Sequence, residues 1–227
     1  MSIKQIELVV FDMAGTTIDE QNAVYKAIHQ ALEEAGYDCS LDLVLSIAAG
    51  KEKRQAIKDV LIYLNNEEPF SPMIDAIHED FKQKLDEVYA SRIAKAMPDT
   101  EVVFGQLRRQ NIKIVLNTGY TRPIAELLMQ QVGWTIPQTV DGLVTASDVT
   151  QGRPHPDMIL AAMQLTGITD PQVVAKVGDS VIDIEEGINA GCGLVAGVIT
   201  GAQTYTQLAT ANPTYIFKNL TELLSKI

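Results

Sequence analysis

Cysteine is scarce in this chain, with two residues, Cys39 and Cys192, among 227. They lie far apart and without metal-type spacing, so two reduced thiols are expected rather than a disulfide framework. Histidine is nearly as scarce. His29, His78 and His155 have no mutual spacing suited to a metal, and His155, between two prolines, reads as a loop residue. Basic charge is in deficit, with 18 Lys and Arg against 29 Asp and Glu and a net charge of −11. An acidic surface repels nucleic acid and anionic membranes, so neither is expected as a partner. Long apolar runs are missing too, and none approaches the roughly 20 residues that span a bilayer. The first residues lead into a strand without a basic segment and apolar stretch, so no signal peptide is expected and the protein is read as cytoplasmic.

What is present is 46% hydrophobic and 21% charged residues, enough for a sizeable core in one large domain or one domain with an insertion. IELVVF (6–11) reads as a buried strand. Helical patterns follow at 21–36, 41–48, 51–64 and 73–96, with Pro69 and Pro72 between the last two and Pro98 as the stop. Residues 12–98 contain no second convincing strand. Beyond them, helices at 99–110, 122–132, 156–166, 181–190 and 219–226 alternate with strands at 112–117, 142–145, 173–177, 193–198 and 214–217. The alternation predicts an α/β fold, a doubly wound parallel sheet. Its core is assigned to 1–19 and 98–227, with a helical cap domain inserted over 20–97.

Such sheets bind ligands at the carboxyl ends of their strands. The residues there are Asp12, then Asn117, Thr118 and Gly119, then Gly178, Asp179 and Ser180, with Arg153 in the loop GRPHP. A carboxylate at a strand end can attack phosphorus. Thr118 and the Gly119 N–H, at a helix N-terminus, can bind phosphate oxygens. Arg153 can offset transition-state charge. Asp12 and Asp179 can hold a hard divalent cation, with Asp183 one helical turn further on to join or orient the shell. Each element alone is an ordinary cap, turn or surface charge. Four at successive strand ends are hard to assign to chance.

FDMAGTTID, LNTGYTR, GRPHPDM and KVGDSVIDIEEGINAG together resemble the motif set of the haloacid dehalogenase superfamily of hydrolases, with a helical cap after the first strand. The resemblance covers essentially the whole chain. It implies an aspartyl-phosphate on Asp12 and Mg2+ held by Asp12, the Ala14 carbonyl and Asp179. Most phosphatases of the superfamily carry a second aspartate where this chain has Ala14, as general acid and base. Alanine there, with TGYTR and GRPxP, is similar to the phosphonatase branch, phosphonoacetaldehyde hydrolase. In that branch a cap lysine forms a Schiff base with the substrate aldehyde, and the iminium accepts the electrons of the breaking carbon–phosphorus bond.

The matching lysine is Lys53. It lies with Ala49, Ala56, Ile57, Val60, Leu61 and Leu64 on one apolar helical face, the only charge in the stripe. A desolvated lysine near a helix N-terminus is expected to have a depressed pKa, as an amine nucleophile requires. The chain departs from the branch at three positions of the expected substrate pocket. Ala56 replaces a histidine, Asn22 a cysteine and Ala49 a methionine, beside Gly50. These departures leave the phosphoryl chemistry intact and bear on the substrate, a small organophosphorus molecule. A phosphatase acting on a small phosphate monoester is the alternative. A phosphate-ligand sensor would not be expected to keep Asp12, Arg153 and Asp179, and the GDSxxxD metal site speaks against halide displacement.

Tyr120 is read as pocket lining or packing, Lys176 as solvent-exposed at a strand end, Asp19 and Thr16 as supports of the nucleophile loop, and Trp134 as packing. The resemblance allows a homodimer through the cap.

Overall fold

The computed structural model describes residues 5–65, 67–90 and 93–227. The chain enters through β1 (Leu8–Asp12), buried at every residue. The short strand β2 (Ile18–Asp19) leads to four helices, α1 (Ala23–Glu34), α2 (Leu41–Ala48), α3 (Lys53–Asn65) and α4 (Ser71–Ala90). The return is made by β3 (Lys95–Ala96). There follow α5 (Thr100–Arg109), β4 (Lys113–Thr118), α6 (Arg122–Gln131), β5 (Gly142–Thr145), α7 (Asp157–Thr166), β6 (Val174–Gly178), α8 (Val181–Asn189), β7 (Leu194–Val198), α9 (Tyr205–Ala209) and β8 (Tyr215–Phe217).

Six strands form one parallel sheet in the order β5-β4-β1-β6-β7-β8. The chain builds outward from β1 in one direction through β4 and β5, then in the other through β6, β7 and β8. The carboxyl end of β1 is therefore the point where strand order reverses, the place where such sheets form a ligand crevice. The register sets Asp12 level with Asn117 on β4 and pairs Phe11 with Val177 on β6. Helices cover both faces of the sheet, which is why its strands are continuous apolar runs rather than alternating ones.

Helices α1 to α4 pack on one another, α1 against α2 and α4, and α3 against α2 and α4. Their apolar faces, with Ile28, Ile57, Val60 and Phe81, belong to the same buried cluster as Phe11, Phe104 and Trp134 of the sheet side. Trp134 packs as expected, its ring 5.2 Å from that of Phe104, and its Nε1 donates to Glu101 at 3.0 Å.

Four expectations need correction. The helix expected over 73–96 ends at Ala90, and 91–92 lie outside the described residues. Lys95 and Ala96 instead pair antiparallel with Asp19 and Ile18, so the segment 12–98 does contain strands. Two-residue strands have no period to read, and the pairing, with Met97 N donating to the Thr17 carbonyl at 2.9 Å, ties together the two crossings into and out of the helical insertion. Pro72 does not precede α4 but sits in its first turn, where its missing N–H leaves no hydrogen bond unmade. The last helix is a 3-10 segment, Leu220–Ser225, and α9 was not foreseen. Among the described residues no helix is long and apolar enough to cross a membrane.

Candidate active site

Asp12 leaves β1 into a tight loop. The backbone N–H groups of Thr16, Thr17 and Ile18 all donate to the Met13 carbonyl, and Gly15 N donates to that of Ile18. Gly15 is required twice over. Its φ is +82°, and a Cβ there would lie 2.4 Å from Asp179 Oδ2. The Thr17 hydroxyl donates to the Asp12 carbonyl at 2.9 Å and so fixes the peptide of Asp12. Thr16, expected in that supporting role, is buried with its hydroxyl unpartnered. Asp19 closes the turn after the motif by accepting from Gln21 N at 2.8 Å.

Around Asp12 lies a buried set of charges. The Arg153 side chain is 1% exposed, and its Nη1 is 2.8 Å from Asp12 Oδ1 and 2.9 Å from Asp183 Oδ1. Its Nε donates to Glu186 Oε2 at 3.0 Å, and its Nη2 to Asn117 Oδ1 at 2.7 Å. Lys176 is fully buried, against expectation. Its Nζ donates to Asn117 Oδ1 at 2.6 Å and pairs with Asp183 and Glu186 at 2.9 and 3.0 Å. Space for it comes from α8, where a Cβ on Gly187 would meet Lys176 Cβ at 2.9 Å. Glu186 was not singled out from sequence. The available signal was its position three residues after Asp183, on the same helical face and directly before that glycine.

Asp12, Asp179 and Asp183 each offer an oxygen within 4.8 Å of the others. Burial, then the Asp183 charge, raises Asp12 to about 6. Burial, then Asp12 and Asp183, raises Asp179 well above its usual range. Burial pushes Asp183 up as well, but Arg153 and Lys176 hold it below the ordinary carboxylate value. Four carboxylates (Asp12, Asp179, Asp183 and Glu186) thus face two cations. The surplus of two negative charges in a desolvated site fits a hard divalent cation.

Thr118 is buried, and its Oγ1 accepts from Tyr120 N at 3.2 Å. Gly119 does not open a helix as expected. Helix α6 starts at Arg122 with Thr121 as its cap, so the Gly119 N–H belongs to the preceding loop. A Cβ on Gly119 would lie 3.0 Å from the Gly50 carbonyl, and one on Gly50 would lie 2.5 Å from Ser180 Oγ. The turn between α2 and α3 therefore rests directly on the ends of β4 and β6.

That turn delivers Lys53, which is 7% exposed. Its Nζ donates to the Lys51 carbonyl at 2.8 Å and lies 5.1 Å from the Tyr120 ring centroid and 5.4 Å from that of Tyr25. Burial lowers its pKa to about 8, with Asp12 opposing. Lys53, Gly119 and Tyr120 share the wall of a cavity of about 300 Å³ with His78, Phe81 and Leu85. Of the other expected pocket residues, Ala56 packs into the apolar cluster and Ala49 is buried in the turn. Asn22 caps α1 in a left-handed conformation, φ 57°, without a capping hydrogen bond. Glu20, not singled out from sequence, is 2% exposed, its carboxylate accepting from Val24 N at 3.2 Å.

The family model described as haloacid dehalogenase-like hydrolase matches residues 6–191. The phosphonoacetaldehyde hydrolase of Bacillus cereus (strain ATCC 14579) is 33% identical over 208 residues, covering 87% of this chain and 77% of its own. That of Latilactobacillus sakei is 32% identical, covering 86% of this chain and 76% of its own. A solved phosphonoacetaldehyde hydrolase-like protein from Oleispira antarctica has a TM-score of 0.83 at 23% identity, covering 99% of this chain and 92% of its own. At that identity the likeness shows the fold.

Proposed function

The chain belongs to the haloacid dehalogenase-like hydrolases, in their phosphonatase-like branch, and on that premise we propose that it hydrolyses the carbon–phosphorus bond of phosphonoacetaldehyde or a related carbonyl phosphonate. Lys53 condenses with the substrate carbonyl to an iminium. An oxygen of Asp12 attacks phosphorus, and the electron pair of the breaking bond flows into the iminium as an enamine. The enamine carbon then takes a proton from solvent to return to an iminium, one water releases the carbonyl product from Lys53, and a second water releases phosphate from Asp12. Thr118, the Gly119 N–H and Arg153 bind the phosphoryl oxygens. Asp12, the Ala14 carbonyl and Asp179, with Asp183 orienting them, are the proposed holders of Mg2+, which when bound offsets phosphoryl charge.

The observation that carries this reading is Lys53 itself. A buried amine with its pKa at about 8 is held between two aromatic rings beside the Asp12 site. Ala14 supports the same reading, because a leaving group that departs as an enamine needs no acid at that position. The contact of the Gly50 turn with the sheet ends supports a closed arrangement that excludes water.

Phosphate release tests the proposal. With Mg2+, the protein is expected to release phosphate from phosphonoacetaldehyde, and Lys53→Ala to lose at least about 10³-fold in rate, as expected when a covalent nucleophile is removed. Turnover of small phosphate monoesters instead, unchanged by Lys53→Ala, would replace this reading with a phosphatase.

A further inference from the structure

The cavity beside Lys53 offers more room than a two-carbon aldehyde fills. It lies between the helical insertion and the sheet side. Residues of α3 and α4 form one wall, and the loop after β4, α6 and the 3-10 turn after β5 form the other. Its inner surface is apolar and deeply buried, with Phe81 2%, Leu85 1% and Tyr120 4% exposed. The His78 ring stacks on that of Phe81, centroids 5.7 Å apart, and continues the same wall. Ile124 and Ala146, both half-buried, extend it outward. Glu52 and Lys82 stand at the solvent edge, both exposed.

Two wall residues tie this cavity to the site already described. Lys53 and Gly119 line it, whereas Asp12, Thr118, Arg153 and Asp179 do not. Lys53 Nζ lies 5.1 Å from the Tyr120 ring centroid, so the amine stands against the cavity's aromatic wall. The cavity therefore continues from the carbonyl end of the substrate and not from its phosphoryl end. Its volume is about 300 Å³, and at roughly 30 Å³ per water-sized group that is room for on the order of ten non-hydrogen atoms. Phosphonoacetaldehyde would place one hydrogen there, the one on its carbonyl carbon. Apolar walls of this extent favour binding only when an apolar group covers them.

Resting on the carbon–phosphorus reading above, we propose that the preferred substrate is a 2-oxoalkylphosphonate, a ketone whose alkyl chain of about four to six carbons occupies this cavity. The reaction balances as it does for the aldehyde. Lys53 and the ketone lose one water to form the iminium. The carbon–phosphorus bond breaks as the bond from the Asp12 oxygen to phosphorus forms, and its electron pair moves into the enamine. The former methylene carbon then gains a proton and becomes a methyl group. Two waters enter, one at each covalent intermediate, so the net reaction consumes one water and gives phosphate and a methyl ketone.

The test is kcat/KM for phosphate release, with Mg2+, across 2-oxoalkylphosphonates whose chain on the carbonyl grows from methyl to pentyl, with phosphonoacetaldehyde beside them. In wild type kcat/KM is expected to rise about twofold to fourfold per added methylene, up to pentyl. Ala146→Leu fills the cavity from its edge and is expected to lower the pentyl-to-methyl ratio by at least about tenfold. Ile124→Ala widens the cavity and is expected to move the optimum to a longer chain. A thermal melt checks that both variants fold. A wild-type profile that is flat or falls from methyl onward, with phosphonoacetaldehyde still cleaved, would overturn this inference and leave the carbon–phosphorus reading standing. So would a pentyl-to-methyl ratio that Ala146→Leu leaves within about twofold of wild type. Release of no phosphate from any of these phosphonates would overturn that reading and this inference with it.

Discussion

Arg153 Nη1 donates to Asp12 Oδ1 at 2.8 Å, so Asp12, the proposed nucleophile, is held by a cation that arrives from a loop 141 residues away in sequence. The same guanidinium also contacts Asp183, Glu186 and Asn117. It therefore fixes the Asp12 carboxylate and balances charge that burial would otherwise make untenable. Arg153→Met is expected to lower kcat by 10²-fold or more, in line with the loss of about 3–4 kcal/mol for one preorganised charge donor. Steady-state kinetics on phosphate release would show it, and a loss within tenfold would contradict this role.

Lys176 carries a structural consequence. Lys176→Met leaves Asp183 and Glu186 with one buried cation between them instead of two. Removing one partner of a buried pair typically costs about 3–5 kcal/mol. Urea unfolding is expected to show a loss of that order, whereas an unchanged midpoint would mean that Arg153 alone suffices.

Glu20 is expected to lower stability once it ionises. Its folded pKa, about 7, is raised by burial above the ordinary 4.5 of a glutamate. The unfolded chain therefore ionises first. The penalty is absent below the unfolded value, grows as pH rises between the two, and is complete above 7. Glu20→Gln should be more stable than wild type at pH 8, by a free energy on the order of 3 kcal/mol, and no different from it at pH 4. Melting curves at the two pH values decide it, and a variant less stable at pH 8 would show that the carboxylate is held by partners rather than strained.

Divalent cation should stabilise the protein in a pH-dependent way. Asp12, raised to about 6, and Asp179, raised well above the ordinary aspartate range by burial and its acidic neighbours, bind protons that a cation must displace. The shift in Tm on adding Mg2+ should be larger at pH 8 than at pH 5, approaching about 2.7 kcal/mol at a hundredfold excess over Kd. An equal shift at both pH values would argue for binding elsewhere.

Much of this site was legible because the sheet makes it so. A buried apolar run that ends in a charged residue marks the crevice, and Asp12 and Asp179 were found that way. Lys53 was legible as the single charge on an apolar helical stripe, and it is buried there. What escaped has a common cause. Lys176 lies within a strand covered on both faces, where alternation no longer separates inside from outside, and only its pairing with Gly187 across the layer explains its burial. Glu20 was not singled out, because a lone acid between a two-residue strand and a helix leaves no pattern that marks it as buried. The β2–β3 pair was too short to leave any periodic trace.

The account turns on whether Lys53 is an amine nucleophile. The most direct measurement is peptide mapping of the protein after borohydride reduction in the presence of phosphonoacetaldehyde and Mg2+. A single reduced adduct on Lys53, formed faster as pH rises toward its pKa of about 8, is the expected result. Adduct spread over exposed lysines, with Lys53 unmodified while phosphate is still released, would contradict it.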